Sequence, residues 1–216
     1  IRDSGWTVGS VSKPLVLACG ALVSELRAVL DQAGLSDSVE VNYLPAPLHN
    51  RPDRIVPEIE ARLADVDQQR QVFLGYADCG TGGLLDAFIE NSERPITRLP
   101  GSHCYEFFAG PARFAALHEA ELGTFYLTDF LAKHFDALIW QGLGIEQNPE
   151  LRDMYFSNYR RVLLLSQTTD PAVVEAARAA ADRLGLEFAH ESTGLEQLAE
   201  PVRVSLRASI AGTLVL

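Results

Sequence analysis

Leu15-Val16-Leu17-Ala18-Cys19-Gly20 is an apolar run that stops at a glycine. Residues 21–33 then carry Leu22, Leu26, Val29 and Leu30 at helical spacing, and Gly34 stands where a helix would end. A strand, a tight turn and a helix in that order open a βαβ unit. The pattern recurs along the chain. Residues 39–44 alternate as a second strand, and Pro52 leads a helix bearing Ile55, Ile59, Leu63 and Val66. Residues 72–76 and 94–99 supply further strands, followed by helices at 83–90 and 104–120, the latter interrupted at Gly110-Pro111. Strands at 124–127, 161–165 and 186–190 complete the set, the last two joined by an alanine-rich helix from Asp170-Pro171 to Leu184. The expected fold is α/β, a Rossmann-like parallel sheet with helices on both faces. Helical residues 129–159 read as an insertion, either a cap or a contact between copies in a homo-oligomer. The expected organisation is an N-terminal extension at 1–14, an α/β domain at 15–200 and a tail at 201–216. In that tail Val202, Val204 and Leu206 alternate like an edge strand.

The 216 residues can bury one sizeable core or two small lobes. With 47% hydrophobic and 22% charged residues, the composition is that of an ordinary globular protein. A net charge of -11 argues against nucleic acid and against an anionic membrane surface as partners. No apolar run approaches the roughly 18 residues that a membrane span requires. Residues 1–6 show no basic region followed by an apolar stretch, so no secretory signal is read in them. Three cysteines, an odd number, favour reduced thiols and a cytoplasmic location.

Those cysteines share one setting. Cys19, Cys79 and Cys104 each lie where a strand-like run gives way to a glycine-containing turn and then a helix. In a parallel sheet these positions fall on one edge, where ligands bind. A helix N-terminus also lowers a thiol's pKa through its dipole and free N–H groups. Against this, a buried cysteine is often only a small hydrophobe. Three thiolates with one more ligand would make a zinc site, and soft ligation also suits cuprous copper or an iron–sulfur centre. His49 and His103 are the candidate fourth ligands. Glu25, in the helix after Cys19, and Glu106 are lesser candidates and the candidate catalytic carboxylates; the alternative for Glu25 is a solvated helix residue. His118, His134 and His190 fit surface or core roles.

Gly80, Gly82 and Gly83 surround Thr81 between a strand and a helix, and could cradle a phosphate or simply let the helix pack closely. The stretch matches neither the Walker A nor the dinucleotide pattern. Ser102 fits a helix N-cap; Glu106 either protects that first turn or acts as a general base. Tyr105, Phe107 and Phe108 would wall the cysteine with aromatics, and Asp78 would orient a ligand or cap its turn. No Gly-x-Ser-x-Gly or His-Glu-x-x-His motif is present.

Together these residues resemble a bacterial and archaeal family described only as a domain of unknown function. The resemblance rests on Ala18-Cys19-Gly20-Ala21-Leu22 with Glu25, Leu48-His49-Asn50-Arg51-Pro52, and Gly75-Tyr76 with Asp78-Cys79-Gly80. It continues through His103-Cys104 with Gly110 and through Gly123-Thr124-Phe125-Tyr126-Leu127-Thr128. Where relatives have Pro-Gly-Trp after that last block, this chain has Asp129-Phe130-Leu131, so a role for the tryptophan does not transfer. Genes of the family neighbour corrinoid-dependent methyltransferases of the trimethylamine type. The resemblance therefore implies one-carbon or methylamine-type metabolism, with a corrinoid protein or methyltransferase as partner and a small methylated substrate. Corrinoid would enter only through the partner. The expected function is a zinc-thiolate protein acting in methyl transfer. A metal-binding accessory or chaperone is the second reading. The third is a metal-free enzyme in which Cys104 attacks, with His103 or Glu106 as base.

Overall fold

In the computed structural model, which describes residues 12–213, the strands form where the apolar runs place them, but they build two sheets. β1 (Leu15–Cys19), β2 (Glu40–Leu44), β3 (Val72–Gly75) and β4 (Ile96–Arg98) make a parallel sheet in the order β2-β1-β3-β4. Helices α1 (Val23–Ala33), α2 (Ile55–Leu63) and α3 (Leu84–Glu90) join these strands. The chain then passes through α4 (Cys104–Ala109) and α5 (Pro111–Ala120), broken at Gly110 as the sequence implies. β5 (Thr124–Leu127), β6 (Arg161–Ser166) and β7 (Glu187–Ser192) form a second parallel sheet in that order. The α/β class with a parallel sheet is as expected; one continuous sheet is not.

Alternation sorts the first sheet's side chains. Val16, Ala18 and Phe73 face α1 and α4, while Leu15, Leu17 and Leu74 face α2 and α3. In the second sheet Leu127, Val162 and Leu164 pack beneath α6 (Asp129–Lys133), α7 (Glu150–Phe156) and α8 (Pro171–Leu184). Residues 129–159 are thus the crossover between two paired parallel strands and cover their sheet. Leu131, Phe135, Leu138 and Ile139 are buried in that core, which is why the segment is not a detached cap.

The tail is also different. Residues 201–213 belong to α9 (Glu196–Thr213), not to an edge strand. Leu198, Val202 and Leu206 recur every four residues and are fully buried, whereas Val204 is exposed. Each buried aliphatic side chain contributes about 2 kcal/mol, so the helical period prevails over the strand-like alternation. α9 follows the second sheet yet packs on α1, α4 and β3 of the first. The expected extension at 1–14 lies mostly outside the described residues. No described helix is long and apolar enough to cross a membrane.

Candidate functional site

Strand order reverses between β1 and β3, which leaves a crevice at their carboxyl ends. Cys19 ends β1 on one side of it, and Cys79 follows β3 on the other. Ala21 N–H donates to the Cys19 sulfur at 3.4 Å. Gly20 is required beside it, because a Cβ there would stand 2.6 Å from the Leu44 carbonyl oxygen. Cys79 has φ of +51°, the one non-glycine residue among those described with a left-handed backbone. Its N–H donates to the Ser102 carbonyl at 2.8 Å, and Asp78 N–H donates to the Gly101 carbonyl at 3.1 Å. Those bonds tie the end of β3 to the loop that carries Cys104. Arg98 secures the same loop: it grips both Asp86 oxygens, at 2.5 and 2.8 Å, and donates to the Gly101 carbonyl at 3.2 Å.

The three cysteines converge. With His49, Tyr76, Phe107 and Phe108 they line one cavity of about 30 Å³, closed from the second sheet's side by Thr128 and Leu131. That volume admits an ion or one to two waters, and no nucleotide or corrinoid ring. His49 arrives on the 3-10 turn Ala46–Asn50, and Asn50 Nδ2 pins that turn by donating to the Leu138 carbonyl at 2.6 Å. The β5 end that carries Thr128 is held to β6. Asp129 N–H donates to Gln167 Oε1 at 3.0 Å, and the Asp129 carboxylate accepts from the N–H groups of Gln167 and Thr168. Among the described residues, no three His, Cys, Asp or Glu side chains already stand as a metal cage.

Burial decides the electrostatics. The thiols were expected to be acidified by nearby helix N-termini, but removal from water outweighs that effect. It pushes Cys79 up to about 12, raises Cys19 against the Ala21 hydrogen bond, and holds Cys104 well above the ordinary thiol value. Burial lowers His49, leaving its imidazole neutral and able to ligate. The cavity is thus lined by three neutral thiols and a neutral imidazole at pH 7.

Other expected residues lie elsewhere. His103 does not line the cavity; its ring packs against Phe114 at 5.1 Å and Tyr105 at 5.7 Å, with Nδ1 buried and unpaired. Adjacent residues project apart, so only Cys104 turns inward. Tyr105 joins the same aromatic group instead of the cysteine wall. Glu106 Oε2 accepts the Ser102 N–H at 2.7 Å, which guards the start of α4 and keeps the carboxylate away from the cavity. Ser102 is not the cap itself; His103 holds that position without a side-chain bond. Glu25 is buried rather than solvated and stands near Asp129 and Lys133, outside the cavity lining. The Gly80–Gly83 turn is filled from within: Asp78 accepts from Gly82 N–H, Gly83 N–H and Thr81 Oγ1 at 3.1, 2.9 and 2.5 Å. An internal carboxylate occupies the nest expected for a phosphate. Tyr76 and Thr128 were missed as lining residues. A tyrosine at a strand end three residues before Cys79 was a usable signal, since buried hydroxyls normally seek partners; for Thr128 the signal was its place just after the fifth strand run and in the last block that carries the resemblance.

A family model described as a protein of unknown function, DUF1638, matches residues 43–201, most of the chain. The chain belongs to the DUF1638 family. The DUF1638 match contains His49, Tyr76, Cys79, Cys104 and Thr128, while Cys19 precedes it. No curated protein and no solved structure matches the chain.

Proposed function

We propose that the chain binds one soft metal ion, zinc in the first instance, through Cys19, Cys79 and Cys104, with His49 as the nearest nitrogen donor. The observation that carries this reading is the convergence of three cysteines, from three separate strand ends, on one ion-sized cavity. Burial makes the thiols poor acids on their own, and a cation at bonding distance reverses that, since metal binding expels thiol protons. Because no cage is preformed, ligation draws the strand ends together. The bonds from Asp78 and Cys79 to the 101–102 carbonyls make the Cys79 and Cys104 loops move as one.

Such an ion would keep the thiolates deprotonated and polarise a small ligand at an open position. Together with the corrinoid-methyltransferase neighbourhood that the resemblance implies, this supports handling of a methyl group from a small methylated substrate, in the reducing cytoplasm. Corrinoid is too large for the cavity and would stay on a partner protein. The metal-free reading has less support, because His103 and Glu106 do not reach the cavity and Asp78 fills the expected anion hole.

Elemental analysis of protein purified anaerobically without chelators tests the proposal, alongside Cys79→Ser. About one zinc per chain, lost in the variant, is the expected result. Metal-free wild-type protein that also fails to take up added zinc would overturn it. If all four positions prove to be filled by protein groups, the accessory reading replaces the catalytic one.

A further inference from the structure

The cavity contains a polar group that lacks a partner at hydrogen-bond geometry. Tyr76 is only 2% exposed, lines the cavity, and lies beside Cys19 and Cys79. Its hydroxyl is shut off from solvent and makes no bond of hydrogen-bond geometry. Buried hydroxyls are normally paired, so an orphan at a site of this kind points to a partner that arrives later. The Cys19 sulfur is its electrostatic neighbour, near enough for the phenol to lower the thiol's pKa without reaching full hydrogen-bond geometry. A thiol accepts weakly, whereas a thiolate accepts strongly.

We propose that Tyr76 is a positioning residue of the metal centre, donating its O–H to the Cys19 sulfur when that sulfur is a metal-bound thiolate. The inference rests on the metal-thiolate reading. Cys19 already receives the Ala21 N–H, so the phenol gives it a second donor. Two donors on one sulfur fix its orientation and withdraw charge from it, as outer hydrogen bonds do for metal ligands generally. Cys19 then holds the ion, and the more electron-rich sulfurs are those of Cys79 and Cys104.

The test compares wild-type protein with Tyr76→Phe and Tyr126→Phe. Tyr126 is a second buried phenol without a hydrogen bond, set in the second sheet and outside the cavity lining. Melting is measured on metal-free protein, and affinity by titration with cadmium, followed through sulfur-to-cadmium charge-transfer absorption. Tyr76→Phe should melt higher than wild type without metal, because it removes an unsatisfied hydroxyl. The same variant should bind cadmium about tenfold more weakly, while Tyr126→Phe keeps wild-type affinity. This opposed pair of shifts is not produced by a residue that merely packs. Wild-type affinity in Tyr76→Phe, equal weakening in both variants, or a lower metal-free melting temperature in Tyr76→Phe would overturn the inference alone. Absence of cadmium binding by the wild type would overturn the metal reading and this inference with it.

Discussion

Cys79 holds a left-handed backbone, φ +51°, that costs a residue with a Cβ about 1–2 kcal/mol. Its N–H bond to Ser102 fixes that conformation, so the cost is carried at a residue that lines the cavity. The usual order of alanine over glycine should therefore invert here. Cys79→Gly is expected to be about 1 kcal/mol more stable than Cys79→Ala in urea unfolding, although glycine leaves the larger void. The ordinary order would show that the backbone at 79 relaxes freely. That Cys19, Cys79 and Cys104 belong together was legible in the sequence, because each lies where a strand-like run gives way to a glycine-containing turn and then a helix. The strain at Cys79 was not, since its φ is imposed by hydrogen bonds from a loop more than twenty residues away.

Among the elements, the Gly80–Gly83 turn shows how one side chain decides between two readings. Its glycines alone suit a phosphate, yet Asp78 sends its carboxylate into the turn and bonds Gly82, Gly83 and Thr81. Burial would raise that carboxyl, but the Thr81, Gly83 and Gly82 bonds and the nearby Arg98 prevail and hold it below its usual value. A depressed folded value gives stability that is full above the unfolded pKa, near 3.8, and is lost as pH falls through the folded one. Asp78→Asn weakens charge-assisted bonds and is thus expected to cost about 1.5 kcal/mol at pH 7 and to flatten the acid limb of stability below pH 4, as read by urea midpoints against pH. An unchanged acid limb would mean that the carboxylate does not hold the turn. Strand and helix positions were largely legible here, because local period and glycine stops set them. α9 was misread because over Val202, Val204 and Leu206 the two periods compete, and only the burial of Leu198, Val202 and Leu206 chooses between them.

At the scale of the molecule, the seam between the sheets contains an acid with no stated use. Glu25, on α1, is 7% exposed. Burial, before any charge, raises its pKa; Asp129 adds to the shift, and its own backbone N–H and Lys133 oppose it. A raised folded value means stability that is full below the unfolded pKa and lost as pH climbs through the folded one. Glu25→Gln should therefore raise the melting temperature at pH 7 and leave it nearly unchanged near pH 4. A loss at pH 7 would assign the carboxylate a bonding role across the seam.

What the sequence determined by itself was local: the seven strands of the described residues, the helices between them, a parallel α/β class, and three thiols near strand ends. Backbone propensity, apolar period and glycine placement act over a few residues, so they are written in contiguous stretches. The tertiary structure alone decided that the strands part into two sheets, that α9 returns to the first, and that Thr128 and Leu131 close the cavity. It also placed His49, and not His103, in the cavity lining and left the Tyr76 hydroxyl without a partner at hydrogen-bond geometry. These outcomes follow from which apolar faces bury one another and which polar groups are thereby cut off from water, and both depend on residues far apart in the chain.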